Sequence, residues 1–326
     1  MVKMFAGFMA RVLICPVAVA FLLTGCVRGA GGTLFGSNDS GVWEEWGDSS
    51  FSPNDDDYKS MGVIADTAAD VFREPDITSQ RVTQALFNQP VRILEDAGEW
   101  MKIETAGGAK GFIKSGYVDR DCASIRAEHY NYRIVVTAKA KTVYSQPMGG
   151  LTLKEVVMGT ELFVVGRRGS VYKVALPGSM MGWISESGTI RIPAKGDIAA
   201  TSAADFAATA ERLKGTCYMQ GGISSRGIDF SGLIYMCARI NGIDMPADAK
   251  LQLKMGKEVA PEDIRTGDLI FLGGGDDAES ISYIGIYKGD GQFIHADKQK
   301  GYVTVSNLSE ERFGKKFMRV RRIFDE

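Results

Sequence analysis

The sequence predicts a multidomain chain in which two small all-β barrels precede an α+β domain. Three observations carry that prediction: an internal repeat of short alternating strands, an Ala-rich helical stretch after it, and a run of strands near the C-terminus. The 326 residues, 45% hydrophobic and 24% charged, have the composition of ordinary globular domains and the length of two or three. With 38 basic and 40 acidic residues the charge nearly cancels, which offers no electrostatic grip on nucleic acid. Two histidines, His129 and His295, and no Cys-x-x-Cys pair argue against a metal cluster, and no phosphate-binding loop ends in Lys-Ser/Thr. No cofactor or metal is expected.

Lys3 and Arg11 precede an apolar run from Val12 to Leu23. That run is well short of the roughly 20 residues a membrane-spanning helix needs, and has the size of a secretory signal core. The Leu23-Thr24-Gly25-Cys26 that follows resembles the lipobox of bacterial lipoproteins. The resemblance implies a signal peptide over residues 1–25, cleavage before Cys26, and acylation of that cysteine. The protein would then be lipid-anchored in the cell envelope. Val27, where inner-membrane retention would place Asp, points towards the outer membrane. Cys15 would leave with the signal, and Cys122, Cys217 and Cys237 are an odd set that argues against a disulfide framework. Residues 26–60, rich in Gly, Ser, Asp and Asn, read as a flexible acidic tether in which Trp43 and Trp46 are out of place.

The repeat has a period near 71 residues. Val71-Phe72-Arg73-Glu74-Pro75 returns as Val143-Tyr144-Ser145-Gln146-Pro147, Trp100-Met101-Lys102-Ile103 as Val171-Tyr172-Lys173-Val174, and Gly111-Phe112-Ile113 as Gly182-Trp183-Ile184. Short alternating pieces separated by turn residues are the signal of small antiparallel barrels. Each unit resembles a bacterial SH3-like domain, over residues 61–125 and 130–195.

After Pro193 the pattern changes. Thr201 to Lys214 has apolar residues near helical spacing with Ser202 as a cap, and Phe230 to Ile240 is apolar on most sides, as a buried helix would be. Strands are expected at Asp268–Leu272, Ser282–Lys288, Gln292–Ala296 and Tyr302–Ser306. Residues 200–326 resemble the NlpC/p60 family of papain-like peptidases. The resemblance rests on Tyr218-Met219-Gln220-Gly221-Gly222, Gly227-Ile228-Asp229-Phe230-Ser231-Gly232, Met245-Pro246-Ala247-Asp248, Thr266-Gly267-Asp268-Leu269, Ile281-Ser282-Tyr283-Ile284-Gly285 and Phe293-Ile294-His295-Ala296, in family order.

The departures fall on the catalytic positions. Where the family has its nucleophilic cysteine this chain has Phe230, which has no heteroatom to attack a carbonyl. Where the family has its histidine base it has Tyr283, a phenol with an ordinary pKa of about 10. The third, orienting member is retained as His295. Cys217 paired with His295 is a displaced alternative, Cys237 sits in the buried helix, and His129 falls between the barrels. The resemblance further implies that Tyr218, Asp229, Ser231 and Asp248 line a pocket for the murein stem, L-Ala-γ-D-Glu-diamino acid. A carboxylate pair suits its free ammonium. Three readings stand at this point. The first is a non-catalytic envelope lipoprotein that binds stem peptides or an envelope partner. The second is a working peptidoglycan hydrolase, of γ-D-glutamyl-diamino acid endopeptidase type, with another nucleophile. The third is a structural assembly subunit whose cleft is closed.

Overall fold

The structure, a computed structural model, describes residues 43–45, 58–273, 281–314 and 317–324, with side chains left out for 43–45 and Phe317. The expected signal segment, Cys26, Trp46 and the rest of the expected tether up to residue 57 lie outside the described residues. Among the described residues no helix is long and apolar enough to cross a membrane.

Among the described residues the first element is β1 (Trp43–Glu45), and the first barrel follows from β2 (Met61–Ile64), β3 (Ala68–Phe72), β4 (Arg81–Leu86), β5 (Pro90–Ala97), β6 (Trp100–Thr105), β7 (Lys110–Lys114) and β8 (Val118–Asp119). The second barrel uses β9 (Tyr132–Val136), β10 (Ala140–Gln146), β11 (Gly149–Val157), β12 (Glu161–Arg168), β13 (Val171–Leu176), β14 (Met180–Ser185) and β15 (Thr189–Pro193). Their strand orders, β4-β3-β7-β6-β5-β2-β8 and β11-β10-β14-β13-β12-β9-β15, are the same path twice. The repeat extends to the register: Phe72 pairs with Phe112 in the first barrel as Tyr144 pairs with Trp183 in the second. Alternation buries Val71, Ile103 and Ile113 in one core and Val143, Tyr172 and Ile184 in the other.

The tether reading needs correction at two places. The backbone of Trp43–Glu45 adds a strand to β12, and Tyr58 is held between Glu128, which accepts from its hydroxyl at 3.2 Å, and the Arg126 guanidinium over its ring. Backbone pairing to the stretch of β12 that β9 leaves open, Gly166 to Arg168, needs no apolar pattern, so the composition of residues 43–45 conceals it.

The third domain carries α1 (Ala203–Arg212), the short pair β16 (Ile223–Ser224) and β17 (Gly227–Ile228), α2 (Phe230–Ile240), α3 (Ala249–Gln252), and β18 (Lys257–Val259). It continues through β19 (Leu269–Gly273), β20 (Ile281–Gly289), β21 (Gln292–Asp297), β22 (Tyr302–Asn307), α4 (Glu311–Gly314) and β23 (Phe317–Arg322). The predicted all-β barrels and α+β domain are both present. Ser202 closes a capping box with Asp205 at the start of α1, as its sequence position predicts. The six-stranded sheet runs β18-β23-β19-β20-β21-β22. The sequence pattern does not reveal the interior position of β23, because Arg319, Arg321 and Arg322 obscure its alternation. Arg322 is held by Asp268 at 2.7 Å and Arg321 lies 3.4 Å from Glu258.

The sheet has two distinct faces. Phe271, Ile284, Ile286 and Ile294 pack under α1 and α2 against Phe206, Leu233 and Met236. Ile270, Leu272, Tyr283 and Phe293 point the other way and are covered by Phe313 of α4. Leu86 from the first barrel and Val135, Val157 and Met158 from the second join the helix-side core, so all three domains contribute to it.

Candidate functional site

Phe230 stands at the start of α2, and local chemistry explains why that point is so constrained. Asp229 is the N-cap. One carboxylate oxygen accepts from the Gly232 N–H at 2.8 Å and from the Ser231 hydroxyl at 3.0 Å, and the other accepts from the Gly221 N–H at 2.8 Å. Burial pushes this carboxyl above its ordinary range, and those donors pull it back. A Cβ on Gly232 would stand 2.1 Å from the Gly222 carbonyl oxygen, so the helix meets the Gly221-Gly222 turn at backbone contact. The retained glycines are therefore required by packing, whatever the chemistry above them.

Phe230 is the first residue of α2, where an N-terminal helix dipole would activate a thiol, and its ring packs on the helix-side core. Tyr283 lies on the other face, 7% exposed, with its ring centroid 5.8 Å from His295 and 5.3 Å from Phe313. His295 has no exposed surface; it stacks on Phe293 at 4.5 Å, and Phe313 meets it edge-on at 5.7 Å. Its Nε2 lies 3.1 Å from the Ser306 hydroxyl oxygen, which also accepts from Arg312 at 2.9 Å, while Nδ1 is buried without a hydrogen-bond partner. Burial lowers this imidazole from 6.5 to about 4, so it is a neutral ring at pH 7. The structure thus brings Tyr283 and His295 together as aromatic packing.

Of the residues expected from the sequence to line a pocket, Tyr218 is half-buried. Its hydroxyl is enclosed without a hydrogen-bond partner, and burial followed by the charge of Asp229 pushes it up to about 12. Asp248 caps α3, one oxygen accepting from the Lys250 and Leu251 N–H groups at 2.9 and 3.0 Å, and the residue is exposed. Gln252 donates to the Ser231 carbonyl at 2.9 Å and the Pro246 carbonyl at 2.8 Å, which ties the Asp248 turn to the first turn of α2. Tyr218, Asp229, Ser231 and Asp248 therefore belong to one framework, with Asp229 and Ser231 engaged internally. Cys217 is exposed and His295 fully enclosed, so the displaced dyad does not form. Cys237 is buried in α2, where desolvation raises its thiol far above any nucleophilic range, and His129 sits in the turn between the barrels. Among the described residues no three His, Cys, Asp or Glu side chains are grouped to hold a metal.

The first barrel also reaches this site. Arg81 donates to the Gln220 carbonyl at 3.1 Å, and the Gln84 side-chain oxygen accepts from the Ile223 N–H at 3.2 Å and the Ser224 hydroxyl at 2.8 Å. Nothing in the one-dimensional pattern marks Gln84 for that task. Gln252 has a local signal, lying one turn after the Asp248 cap.

Comparison with known proteins agrees with this architecture. The family profile of NlpC/P60 matches residues 215–322 and that of the bacterial SH3 domain matches residues 67–119. The probable endopeptidase NlpC of Escherichia coli K12 is 34% identical over 110 residues, covering 33% of this chain and 70% of that protein. The chain belongs to the NlpC/P60 family. A second relative in this family, the gamma-D-glutamyl-L-lysine dipeptidyl-peptidase of Bacillus subtilis 168, is 26% identical over 254 residues, 75% of this chain and 81% of that one. An NlpC/P60 family protein from Bacillus cereus ATCC 10987 shares the fold with a TM-score of 0.72 at 22% identity, covering 81% of this chain and 99% of the other.

Proposed function

We propose that this protein is a non-catalytic member of its family that binds peptidoglycan stem peptides, L-Ala-γ-D-Glu-diamino acid, in the bacterial cell envelope. The observation that carries the reading is Phe230 at the first position of α2. A side chain without a lone pair cannot form the covalent intermediate, and loss of a nucleophile alone costs a factor of about 10⁶ in a well-studied hydrolase. The buried phenol of Tyr283 and the fully enclosed ring of His295, whose proton affinity burial lowers, supply no accessible base in its place. The relatives, a gamma-D-glutamyl-L-lysine dipeptidyl-peptidase among them, support murein peptide as the ligand class. The Leu23-Thr24-Gly25-Cys26 stretch supports a lipid anchor on Cys26 after loss of residues 1–25, on the periplasmic face of the outer membrane in a host that has one.

Asp248 is the residue best placed to meet the ligand's ammonium, because it is exposed and uses one oxygen for its cap. Calorimetry of the chain without residues 1–26, titrated with the stem tripeptide, tests the reading. Saturable binding without new amino termini is expected, with Asp248→Ala weakening it about tenfold, as loss of one charge-assisted contact would. Appearance of new amino termini would make the protein a hydrolase. A second reading has its own support: both oxygens of Asp229 are taken by internal donors and the Tyr218 hydroxyl is enclosed. If millimolar peptide does not bind, the domain is a structural subunit with a closed cleft, and capture from envelope extracts should identify its partner.

A further inference from the structure

Where both barrels meet the third domain there is a cavity of about 260 Å³, lined by none of Phe230, Tyr283 and His295. Its walls are chiefly apolar: Leu86 and Phe87 from the first barrel, Phe163 from the second, Ile125 from the segment between them, and Met236 from α2. It shares Ala106, Tyr235 and Arg239 with a wider groove of about 890 Å³ that runs on to Met245, Pro246 and Ala247. Neither is lined by Tyr218, Asp229, Ser231 or Asp248.

The charge in this cavity is unusual for so apolar a lining. Glu161 stands between two guanidiniums, with Arg239 at 2.5 Å and Arg133 at 2.8 Å. One carboxylate for two guanidiniums leaves a single positive charge in excess. Arg133 spends a donor on the Ala194 carbonyl at 2.5 Å and turns its Nε to the Glu161 carboxylate at 2.8 Å, whereas the Nε of Arg239 is buried with neither a hydrogen-bond acceptor nor a carboxylate against it. A buried donor without a partner is costly, and an incoming anion would satisfy it. Asp197 and Asp244 line the groove but not the cavity, which disfavours a ligand of higher negative charge.

We propose that this junction is a binding site for an amphipathic monocarboxylate, its hydrocarbon part among Leu86, Phe87, Phe163 and Met236 and its carboxylate on Arg239. The volume falls near the lower end of small-ligand pockets, about 300 Å³, and a mostly apolar lining with few convergent polar groups is their usual composition. The site lies across all three domains, so occupancy would clamp them together.

Octanoate, octanol and octylammonium are the probes, titrated into the whole mature chain by calorimetry. Octanoate should bind saturably, and octanol and octylammonium at least about tenfold more weakly, since they forgo the charge-assisted contact. Arg239→Gln keeps the Arg133–Glu161 pair and should weaken octanoate about tenfold while leaving octanol unchanged. Ala106→Trp, on an exposed turn at the shared rim, should abolish octanoate binding without changing the melting temperature. No saturation by octanoate, equal binding of all three probes, or full binding by Ala106→Trp would overturn the proposal.

Discussion

The two barrels are built on one path and one register, yet the same hairpin does different work in each. In the first barrel β4 faces the Tyr218–Ser224 segment, with Gln84 bridging to Ile223 and Ser224 and the Arg81 backbone so close that a Cβ on Gly221 would stand 2.6 Å from its carbonyl oxygen. In the second, the corresponding β10–β11 hairpin presents Met148 and Leu151 to solvent at 92% and 77% exposure. An internal repeat therefore specifies a scaffold, while the surroundings of each copy decide which surface is buried. The first hairpin holds the turn before α2 through Arg81 and Gln84; the second leaves its tip in solvent and meets the third domain at the far end of β11, through Val157 and the Glu155–Arg226 pair.

Acid provides the largest test of that contrast. His295 titrates at about 4 in the fold, against 6.5 for an ordinary histidine, so between those values the unfolded chain takes up the proton and stability falls as pH falls. The loss is on the order of 3 kcal/mol, complete near pH 4. Asp297 and Glu310, both held below their usual range, add losses at lower pH, while the raised Asp229 works in the opposite direction. Denaturant unfolding at pH 7 and pH 5 should show the drop, and His295→Phe should flatten it. If the first barrel is welded to the third domain, its amides should lose exchange protection in the same acid step. First-barrel amides that stay protected after the third domain opens would break the comparison.

A smaller effect is expected at the weld itself. Gln84→Leu leaves the Ile223 N–H and the Ser224 hydroxyl buried without their acceptor, which should cost about 2 kcal/mol in chemical denaturation. The smallest belongs to the second hairpin. Met148→Ser with Leu151→Ser should change stability by no more than about 0.5 kcal/mol, because both side chains are solvated already. A clear loss there would mean that the second hairpin is also covered.

Much of this was legible in one dimension because it rests on short-range rules. The Ser202 cap, the limits of α2 and the paired aromatics Phe72 and Phe112, repeated as Tyr144 and Trp183, follow from capping chemistry and period-two alternation. That Phe230 and Tyr283 stand where the resembled motifs carry Cys and His was equally plain from motif order. The strand Phe317–Arg322 was hidden because its arginines find acids only after folding, and Trp43–Glu45 because strand pairing uses the backbone alone.

The sequence by itself determined the order of domains, the repeat and the absence of a nucleophile at the helix start, since each is a matter of residue identity and local spacing. Only the tertiary structure decided that His295 is a neutral, enclosed ring, that Asp229 spends its oxygens on Gly221, Ser231 and Gly232, and that Arg239, Glu161 and Arg133 meet at a three-domain cavity. Burial and charge balance depend on which distant residues converge, and no local pattern encodes that.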